Sequence, residues 1–566
     1  LEHSPSVIVA SRTSNIQKGT LISLFNLIPL DAPFSFWNLS LGPFPVSTTL
    51  SHQTLPLTSA SVDGSFLPWS TTLRTRLLEE YPLPEGIEPI PDNVLLNPKW
   101  QLEFVDDAQE VLEVNGSHPK LDEDAPEAPP LDLLEVPGGL PARVTSNERV
   151  TPATHWQDVR HLKLEIPEEH SYAPGDVLTI YPKNFPADVN QFLHTMGWMS
   201  LADKPLQFSP SSSAVPRDAP LPIPRITADT SLTLRKLLTN HLDIISIPRR
   251  SFFAQLAHYT SDEFHRDRLL EFTDPQYIDE LYDYTTRPRR SILEVLQEFE
   301  SVKIPWQRVC SIIPALRGRQ FSIASAMNPS AAEERKTRIE LLIAIVKYKT
   351  VIKRLRQGVC TRYVASLASG HNLTVTLSKG GLGVTKQEMA KPVIMVGPGT
   401  GVAPMRALIY QRMQWRQELG LPKAGKAKDL LFFGCRNAES DYFFKDEWQA
   451  LKDKDVPLGV FAAFSRDQVL SSSPLSIWFR SEHTNVHQRQ KVYVQDLIRQ
   501  QSSLIYDALA IQGGIVYICG SSGKMPQAVR EALIEGFQNH GAMGREAAEA
   551  YLVAMEKSGR YKQETW

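Results

Sequence analysis

The chain has 566 residues, more than one hydrophobic core organises, so two to four domains are expected. With 42% hydrophobic and 22% charged residues and a formal net charge of -3, it has the composition of a soluble globular protein and offers no general basic surface for nucleic acid. Its four cysteines, Cys310, Cys360, Cys435 and Cys519, show no CxxC or Cys/His ligand spacing, which argues against structural zinc or a disulfide framework and fits a reducing compartment.

Residues 1–62 are rich in Ser, Thr, Leu and Pro without helical or strand periodicity and read as an irregular or disordered segment. Their longest apolar run, LISLFNLIPL (Leu21 to Leu30), is too short to span a membrane, though a signal peptide could have a core of that length. The first residue is Leu1 rather than Met, which suggests a fragment or an irregular gene model. Asp106 to Gly139 is acidic and proline-rich and reads as a solvated linker. HLKLEIPE (His161 to Glu168) then alternates apolar and charged residues as a half-buried strand does, and YAPGDVLTIYP (Tyr172 to Pro182) adds a Pro-Gly-Asp turn and a second strand. Two antiparallel strands joined by turns suit the start of a barrel.

The period turns helical between about Leu206 and Ser311, and strands return with RQFSIAS (Arg319 to Ser325) and IELLIAIVKYKT (Ile339 to Thr350). After the basic turn KRLRQ, GVCTRYVASL (Gly358 to Leu367) starts a helix. From Lys391 onward, short apolar strands at 393–396, 430–434, 459–464 and 515–519 alternate with helical stretches, the pattern of a parallel sheet with crossover helices. Ligands of such sheets sit at the carboxyl ends of strands. One of those ends is VIMVGPGTGVAP (Val393 to Pro404), an apolar run that breaks into Gly397, Gly399, Thr400 and Gly401 before a helix from Met405 to Leu419. Glycines let amide groups crowd an anion and the helix aims its positive end there, so a pyrophosphate is the expected guest.

In their order, RQFSIAS, GVCT, VIMVGPGTGVAP, FSRDQ (Phe464 to Gln468), KVYVQ (Lys491 to Gln495), YICGSSGKMP (Tyr517 to Pro526) and the terminal ETW (Glu564 to Trp566) resemble the ferredoxin-NADP reductase module of the diflavin reductases over roughly residues 63–566. The resemblance implies an α/β plus all-β fold: an antiparallel FAD-binding β-barrel at 140–385 with a helical insert at about 206–311, then a parallel-sheet, Rossmann-like NADP-binding domain at 390–566. DGSFLPW (Asp63 to Trp69) resembles the exit of the flavodoxin-like domain that precedes this module in full-length relatives, so 63–105 reads as its remnant. The Ser/Thr/Gly loop for FMN phosphate is not found in residues 1–62, and the FMN half is expected to be missing.

The resemblance also implies site residues. For FAD, Arg319 pairs with the pyrophosphate, Phe321 stacks on the ring system where relatives carry Tyr, Ser322 reaches N5, and Gln320 lies between them on the strand. Gly358, Val359, Cys360 and Thr361 present amides to the second phosphate, with the Thr361 hydroxyl assisting. Cys360 itself is expected to pack as a small hydrophobe. Arg289, in RPRR ahead of a helix, matches a further FAD contact. For NADPH, Thr400 lies in the glycine loop, while Ser465, Arg466, Lys491, Val492, Tyr493, Val494 and Gln495 form a clamp for the 2'-phosphate beside the adenine. Ser322, Cys519 and Glu564 surround the hydride-transfer point, and the Trp566 indole covers the outer flavin face and swings aside for the nicotinamide.

Between FSRDQ and KVYVQ the chain carries Val469 to Arg489, absent from relatives, which reads as a retained intron or a surface loop and separates two halves of one phosphate site. The activity implied is NADPH-dependent flavin reduction, with electrons passing, through FMN in full-length relatives, to an anamorsin-type iron-sulfur protein of cytosolic iron-sulfur cluster assembly. GSSGKMP and GRYKQETW favour that branch over P450-reductase or sulfite-reductase-like flavoproteins, and a catalytically silent scaffold is the alternative from another class. The location implied is cytoplasmic, with mitochondrial association as the second.

Overall fold

A computed structural model describes residues 62–88, 90, 91, 94–105, 128–213, 215, 216, 219–226, 231–327, 335–420, 429–467 and 491–566, with side chains from residue 69 onward. The segment before residue 62, the acidic stretch 106–127 and the insert 469–489 lie outside the described residues. Two compact units are present.

The smaller unit comprises, among the described residues, stretches of 62–97, together with 248–290 and 301–303. It contains the helix Val62–Glu80 and the short helices Arg250–Leu256, Glu263–Glu271 and Ile278–Leu281. The Asp262 carboxylate accepts the His265 amide at 2.9 Å and so starts the second of these, as an N-cap does. Phe253, Phe272 and Tyr284 form its aromatic core, the last two stacked with centroids 4.6 Å apart. Arg289 belongs to this unit, exposed and in a left-handed backbone at φ 54°.

Among the described residues, every strand lies in the larger unit. In chain order they are β1 (Trp100–Phe104), β2 (Leu140–Arg149), β3 (Val159–Ile166), β4 (Val177–Ile180), β5 (Leu206–Pro210), β6 (Arg319–Ser322), β7 (Thr337–Ala344), β8 (Lys347–Lys349), β9 (Leu355–Gln357), β10 (Asn372–Ser378), β11 (Val393–Val396), β12 (Asp429–Cys435), β13 (Leu458–Phe464), β14 (Ile515–Gly520) and β15 (Tyr561–Thr565). Six of them form an antiparallel sheet ordered β6-β4-β10-β2-β3-β7, and a bridge between Ile323, just past β6, and Leu341 on β7 brings its two outer strands together as a barrel. Leu162, Leu164 and Ile166 of β3 point inward because their alternation with charged residues matches the pleat. The two strands read first from the sequence are not neighbours. β3 pairs with β2 and β7, β4 with β10 and β6, and β2, whose Pro141, Thr145 and Asn147 mask its alternation, lies between β3 and β10. The long strand expected at Ile339 to Thr350 ends at Ala344, and Lys347–Lys349 forms β8, which pairs with β9 as a hairpin.

Residues 128–139, read as linker, lie against the barrel. Leu134 is buried, its amide and carbonyl both bonded to the Thr374 hydroxyl, and the fully buried Lys183 ammonium donates to the carbonyls of Pro130 and Asp132 and to the Asp132 carboxylate. Burial lowers the Lys183 pKa, and the Asp132 carboxylate opposes that shift.

The parallel sheet runs β13-β12-β11-β14-β15, every pair parallel. β11 to β14 are near-continuous apolar runs because helices cover both faces, whereas β15 is largely polar. One face, with Ile394, Val396, Phe432 and Ile518, packs on the helices Val494–Gln500, Lys524–Gly541 and Arg545–Lys557. The other, with Met395, Leu431, Phe433 and Cys519, packs on the helices Val402–Glu418 and Lys445–Asp453 and on the barrel residues Val159, Ala324, Leu342 and Leu382. Barrel and sheet therefore share one apolar core. Among the described residues no helix is long and apolar enough to cross a membrane.

Candidate active site

β6 is an edge strand of the barrel sheet, paired through Val177↔Ser322, Leu178↔Phe321 and Ile180↔Arg319. The pleat sets Arg319 and Phe321 on one side and Gln320 and Ser322 on the other. Phe321 is half-buried against the barrel core, and Gln320 is exposed. The Arg319 guanidinium donates to the Arg317 carbonyl at 2.7 Å and lies 3.7 Å from Asp243, with its side chain 41% exposed. Its charge also acts on the Cys360 thiol, in the first turn of the helix Val359–Ser366.

That helix begins where the hairpin β8-β9 returns to the barrel. The Gly358 amide donates to the Val346 carbonyl at 3.0 Å, and the Val346 amide donates to the Thr361 hydroxyl at 3.0 Å, so Thr361 is engaged in closing the turn. The Arg362 amide bonds the Gly358 carbonyl, leaving the amides of Val359, Cys360 and Thr361 as the first-turn donors of the helix. The Cys360 thiol sits in the barrel core with its pKa pushed up to about 12 by burial, so of this residue only the backbone faces the helix start.

At the parallel sheet, Gly397 to Gly401 turn the chain from β11 into the helix Val402–Glu418. A Cβ at Gly401 would lie 2.3 Å from the Cys519 carbonyl oxygen, and one at Gly397 would lie 2.7 Å from the Gly401 carbonyl oxygen. Two of the three glycines are thus required by close packing of the loop on itself and on β14. Gly399 is in open space at φ 58°, with Thr400 beside it half-buried.

FSRDQ and KVYVQ meet at the carboxyl end of β12. The Ser465 amide donates to the Cys435 carbonyl and the Arg466 amide to the Arg436 carbonyl, both at 2.9 Å. A Cβ at Gly434 would lie 2.7 Å from Val494 and 3.3 Å from Pro398, so KVYVQ and the glycine loop border the same strand end. Val492 and Val494 turn into the core; Lys491 and Tyr493 are exposed, Gln495 is half-buried and Arg466 is exposed.

The terminus is docked rather than frayed. β15 pairs with β14 through Cys519↔Glu564, the Trp566 amide donates to the Gly520 carbonyl, and the Ser522 amide donates to the Trp566 carbonyl, each at 3.0 Å. The Trp566 side chain stays 53% exposed. Glu564 Oε2 is buried without a hydrogen-bond partner. Burial pushes the Glu564 carboxyl up, the Gly381 amide pulls it back, and the charge of Asp176 pushes it up again. Burial also raises the Cys519 thiol, with Glu564 adding to the effect. Cys519 and Glu564 are strand partners, and Ser322 pairs with Val177, the residue after Asp176, whose charge acts on Glu564.

Sequence reasoning missed the residues that join the two sheets. Arg406, on the glycine-loop helix and only 8% exposed, donates to Glu447 at 2.7 and 3.0 Å and to the Ala324 carbonyl at 2.8 Å, and lies 3.1 Å from Glu340 of β7. Glu340 is also 2.7 Å from His161 Nε2. Nothing in the helical pattern marks Arg406 as buried. Lys379 to Gly383 was also missed, although three glycines in four residues were a signal of close backbone approach.

Two family models match this chain: an FAD binding domain over residues 139–363 and an oxidoreductase NAD-binding domain over residues 395–531. The NADPH-dependent diflavin oxidoreductase 1 of Aspergillus fumigatus is 47% identical over 523 residues, covering 89% of this chain and 77% of that protein. That of Emericella nidulans is 47% identical over 530 residues, and that of Mus musculus 35% over 514, each again covering 77% of the relative. The chain belongs to the NADPH-dependent diflavin oxidoreductase 1 family. The barrel is the FAD binding domain of this oxidoreductase and the parallel sheet its NAD-binding domain, as the resemblance implied.

Proposed function

We propose that this chain takes hydride from NADPH onto FAD and passes electrons singly to an acceptor, which in full-length relatives is FMN and then an anamorsin-type iron-sulfur protein of cytosolic cluster assembly. Membership of the family supports the NADPH and flavin chemistry. The observation that supports the site is that Cys519 and Glu564 are strand partners on the docked terminus and that Glu564 Oε2 is buried without a hydrogen-bond partner. A buried acceptor with no partner costs free energy unless a ligand or solvent completes it, which suits a carboxyl turned toward a bound cofactor.

The residues fit both cofactors. Arg319 would face the FAD diphosphate with the first-turn amides of Val359 to Thr361, while half-buried Phe321 offers an apolar face for the ring. Arg289 stands exposed in the smaller unit and is retained as a candidate on the resemblance alone. Exposed Arg466 and Lys491 would hold the 2'-phosphate of NADPH, with Ser465, Tyr493 and Gln495 beside them and Thr400 near the diphosphate. When bound, FAD supplies the ring that accepts hydride and NADPH the ring that donates it. The protein orients: Ser322 offers a hydroxyl, Glu564 holds a proton, Cys519 packs the floor between them, and Trp566, pinned by its backbone yet exposed at its indole, shields the ring and is free to turn aside.

A yellow preparation whose flavin absorbance bleaches anaerobically on adding NADPH is the expected result. A flavin that stays oxidised under NADPH, or a colourless protein, would refute the reading. Flavin extraction tests the expectation of an FAD-only chain, since one FMN per chain would overturn it. Reduction of anamorsin-type protein by the chain, with and without added flavodoxin domain, tests the onward transfer.

A further inference from the structure

The helix Val402–Glu418, which follows the glycine loop, carries two buried arginines, Arg406 and Arg412. Arg412 stays on the sheet side: it donates to both Asp429 carboxylate oxygens at 2.8 and 3.1 Å and to the carbonyls of Lys391 and Glu388 at 2.8 and 3.3 Å. Arg406 reaches across to the barrel. Its Nε and Nη2 donate to the two Glu447 oxygens at 2.7 and 3.0 Å, while its Nη1 donates to the Ala324 carbonyl at 2.8 Å and lies 3.1 Å from the Glu340 carboxylate. Ala324 is two residues past Ser322, and its own amide donates to the Glu340 carbonyl at 2.8 Å, so Arg406 grips the point where the extension of β6 closes onto β7. From Ser322 to the glycine loop the path is two residues of chain, one hydrogen bond and about one turn of helix. Phe444 closes the cluster, its ring centroid 4.7 Å from the Arg406 guanidinium and 5.4 Å from the His161 ring, with a backbone at φ 60° that a residue with a side chain adopts only where its surroundings hold it.

We propose that Arg406 is a positioning residue for hydride transfer: it sets the register of the glycine loop against the Ser322 strand, and with it the distance between nicotinamide and flavin, while holding neither cofactor. The proposal rests on the reading of the Ser322 strand as the flavin site and of the glycine loop as part of the NADPH site. The apolar core that barrel and sheet share, with Val159, Ala324 and Leu342 in one cluster with Met395 and Met405, attracts without direction and leaves two surfaces free to slide. A planar guanidinium that donates along fixed lines to a carboxylate on one side and a backbone carbonyl on the other does not. Arg412 has the same chemistry on the same helix but meets only groups of the sheet side, which makes it the matched control.

The experiment uses the FAD-loaded full chain as wild type, Arg406→Lys and Arg412→Lys. Lysine keeps the buried charge but replaces the planar fork with a single ammonium, so each variant loses part of its own set of bonds. Flavin reduction is followed anaerobically by stopped flow over a range of NADPH concentrations, with NADPH and with NADPH deuterated at the transferred C4 position. Melting temperatures are taken for the same three proteins.

Arg406→Lys is expected to slow the saturating rate of flavin reduction roughly 10- to 100-fold, the loss that a small misplacement of the reacting atoms brings. Half-saturating NADPH should change little, and the isotope effect should be at least as large as in the wild type. Arg412→Lys should lower the melting temperature and leave the saturating rate and isotope effect as they are. A wild-type flavin that NADPH does not reduce would sink the reading of the two sites and the proposal with it. A wild type that is reduced normally, beside an Arg406→Lys that keeps its rate, loses its isotope effect or fails only in NADPH affinity, overturns the role of Arg406 alone; so does an equal slowing of both lysine variants. If Arg406→Lys fails to hold FAD, Glu447→Gln decides by the same criterion, because it weakens the sheet-side grip on Arg406 at a side chain 31% exposed and leaves the barrel untouched.

Discussion

The glycine loop at Gly397–Gly401 and the paired segments at Ser465–Arg466 and Lys491–Gln495 border one end of the same parallel sheet, yet they are built from different material. The first is made of backbone packed on backbone, with the Cys519 carbonyl where a Gly401 side chain would stand. The second presents exposed cations on turns whose amides are bonded back to the sheet. A backbone-built site fails as architecture when altered, whereas a side-chain site should fail only as a binder.

The largest effect is expected just beyond the loop. Arg406→Met leaves Glu340 and Glu447 facing each other's charge without the guanidinium between them, and removing one member of such a buried cluster costs ~3–5 kcal/mol. Urea unfolding should show a lower midpoint at unchanged slope. An undiminished midpoint would mean that barrel and sheet are held by the shared apolar core alone. Gly401→Ala comes next, since a Cβ 2.3 Å from a backbone oxygen forces the loop or β14 to move, at ~1–3 kcal/mol. Gly399→Ala meets no neighbour and should cost only the left-handed backbone, about 1–2 kcal/mol. If the two glycine variants proved equally stable, the packing account of this loop would be wrong.

Arg466→Ala sharpens the contrast from the other side. Stability should stay within about 0.5 kcal/mol of wild type, while a lost hydrogen bond to a charged group, ~1.5–3 kcal/mol, raises the KM for NADPH by roughly 10- to 100-fold and leaves that for NADH little changed. Steady-state kinetics with both nucleotides would decide it; an equal loss for both would remove Arg466 from the 2'-phosphate.

The smallest effect concerns pH. Burial works against the charged form of Glu294, but Arg356, the Ser291 amide and Arg354 outweigh it and hold its pKa at about 2 instead of 4.5. A carboxyl with a depressed folded pKa contributes stability that is present above its unfolded pKa and lost as pH falls through the folded one. The stability gap between wild type and Glu294→Gln should hold steady above pH 4.5 and shrink as pH falls toward about 2. A gap independent of pH would show that Glu294 contributes by packing.

The sequence by itself determined the two fold classes, because strand alternation and the apolar runs at 393–396, 430–434, 459–464 and 515–519 are local patterns that the pleat and the two-sided burial of a parallel sheet impose on neighbouring residues. It also gave the ordered motifs whose strand and turn ends border the site, and the terminal ETW whose docking on β14 it could not show. Which strands are neighbours was decided only in three dimensions: β2 lies between strands that look adjacent, and KVYVQ returns to Gly434 across an insert. So were Arg406 and Asp176, polar groups whose burial depends on partners 82 and 203 residues away. Periodicity records which face of an element is apolar; it carries no record of which distant carboxylate or carbonyl meets a buried cation, and that meeting is what joins the barrel to the sheet.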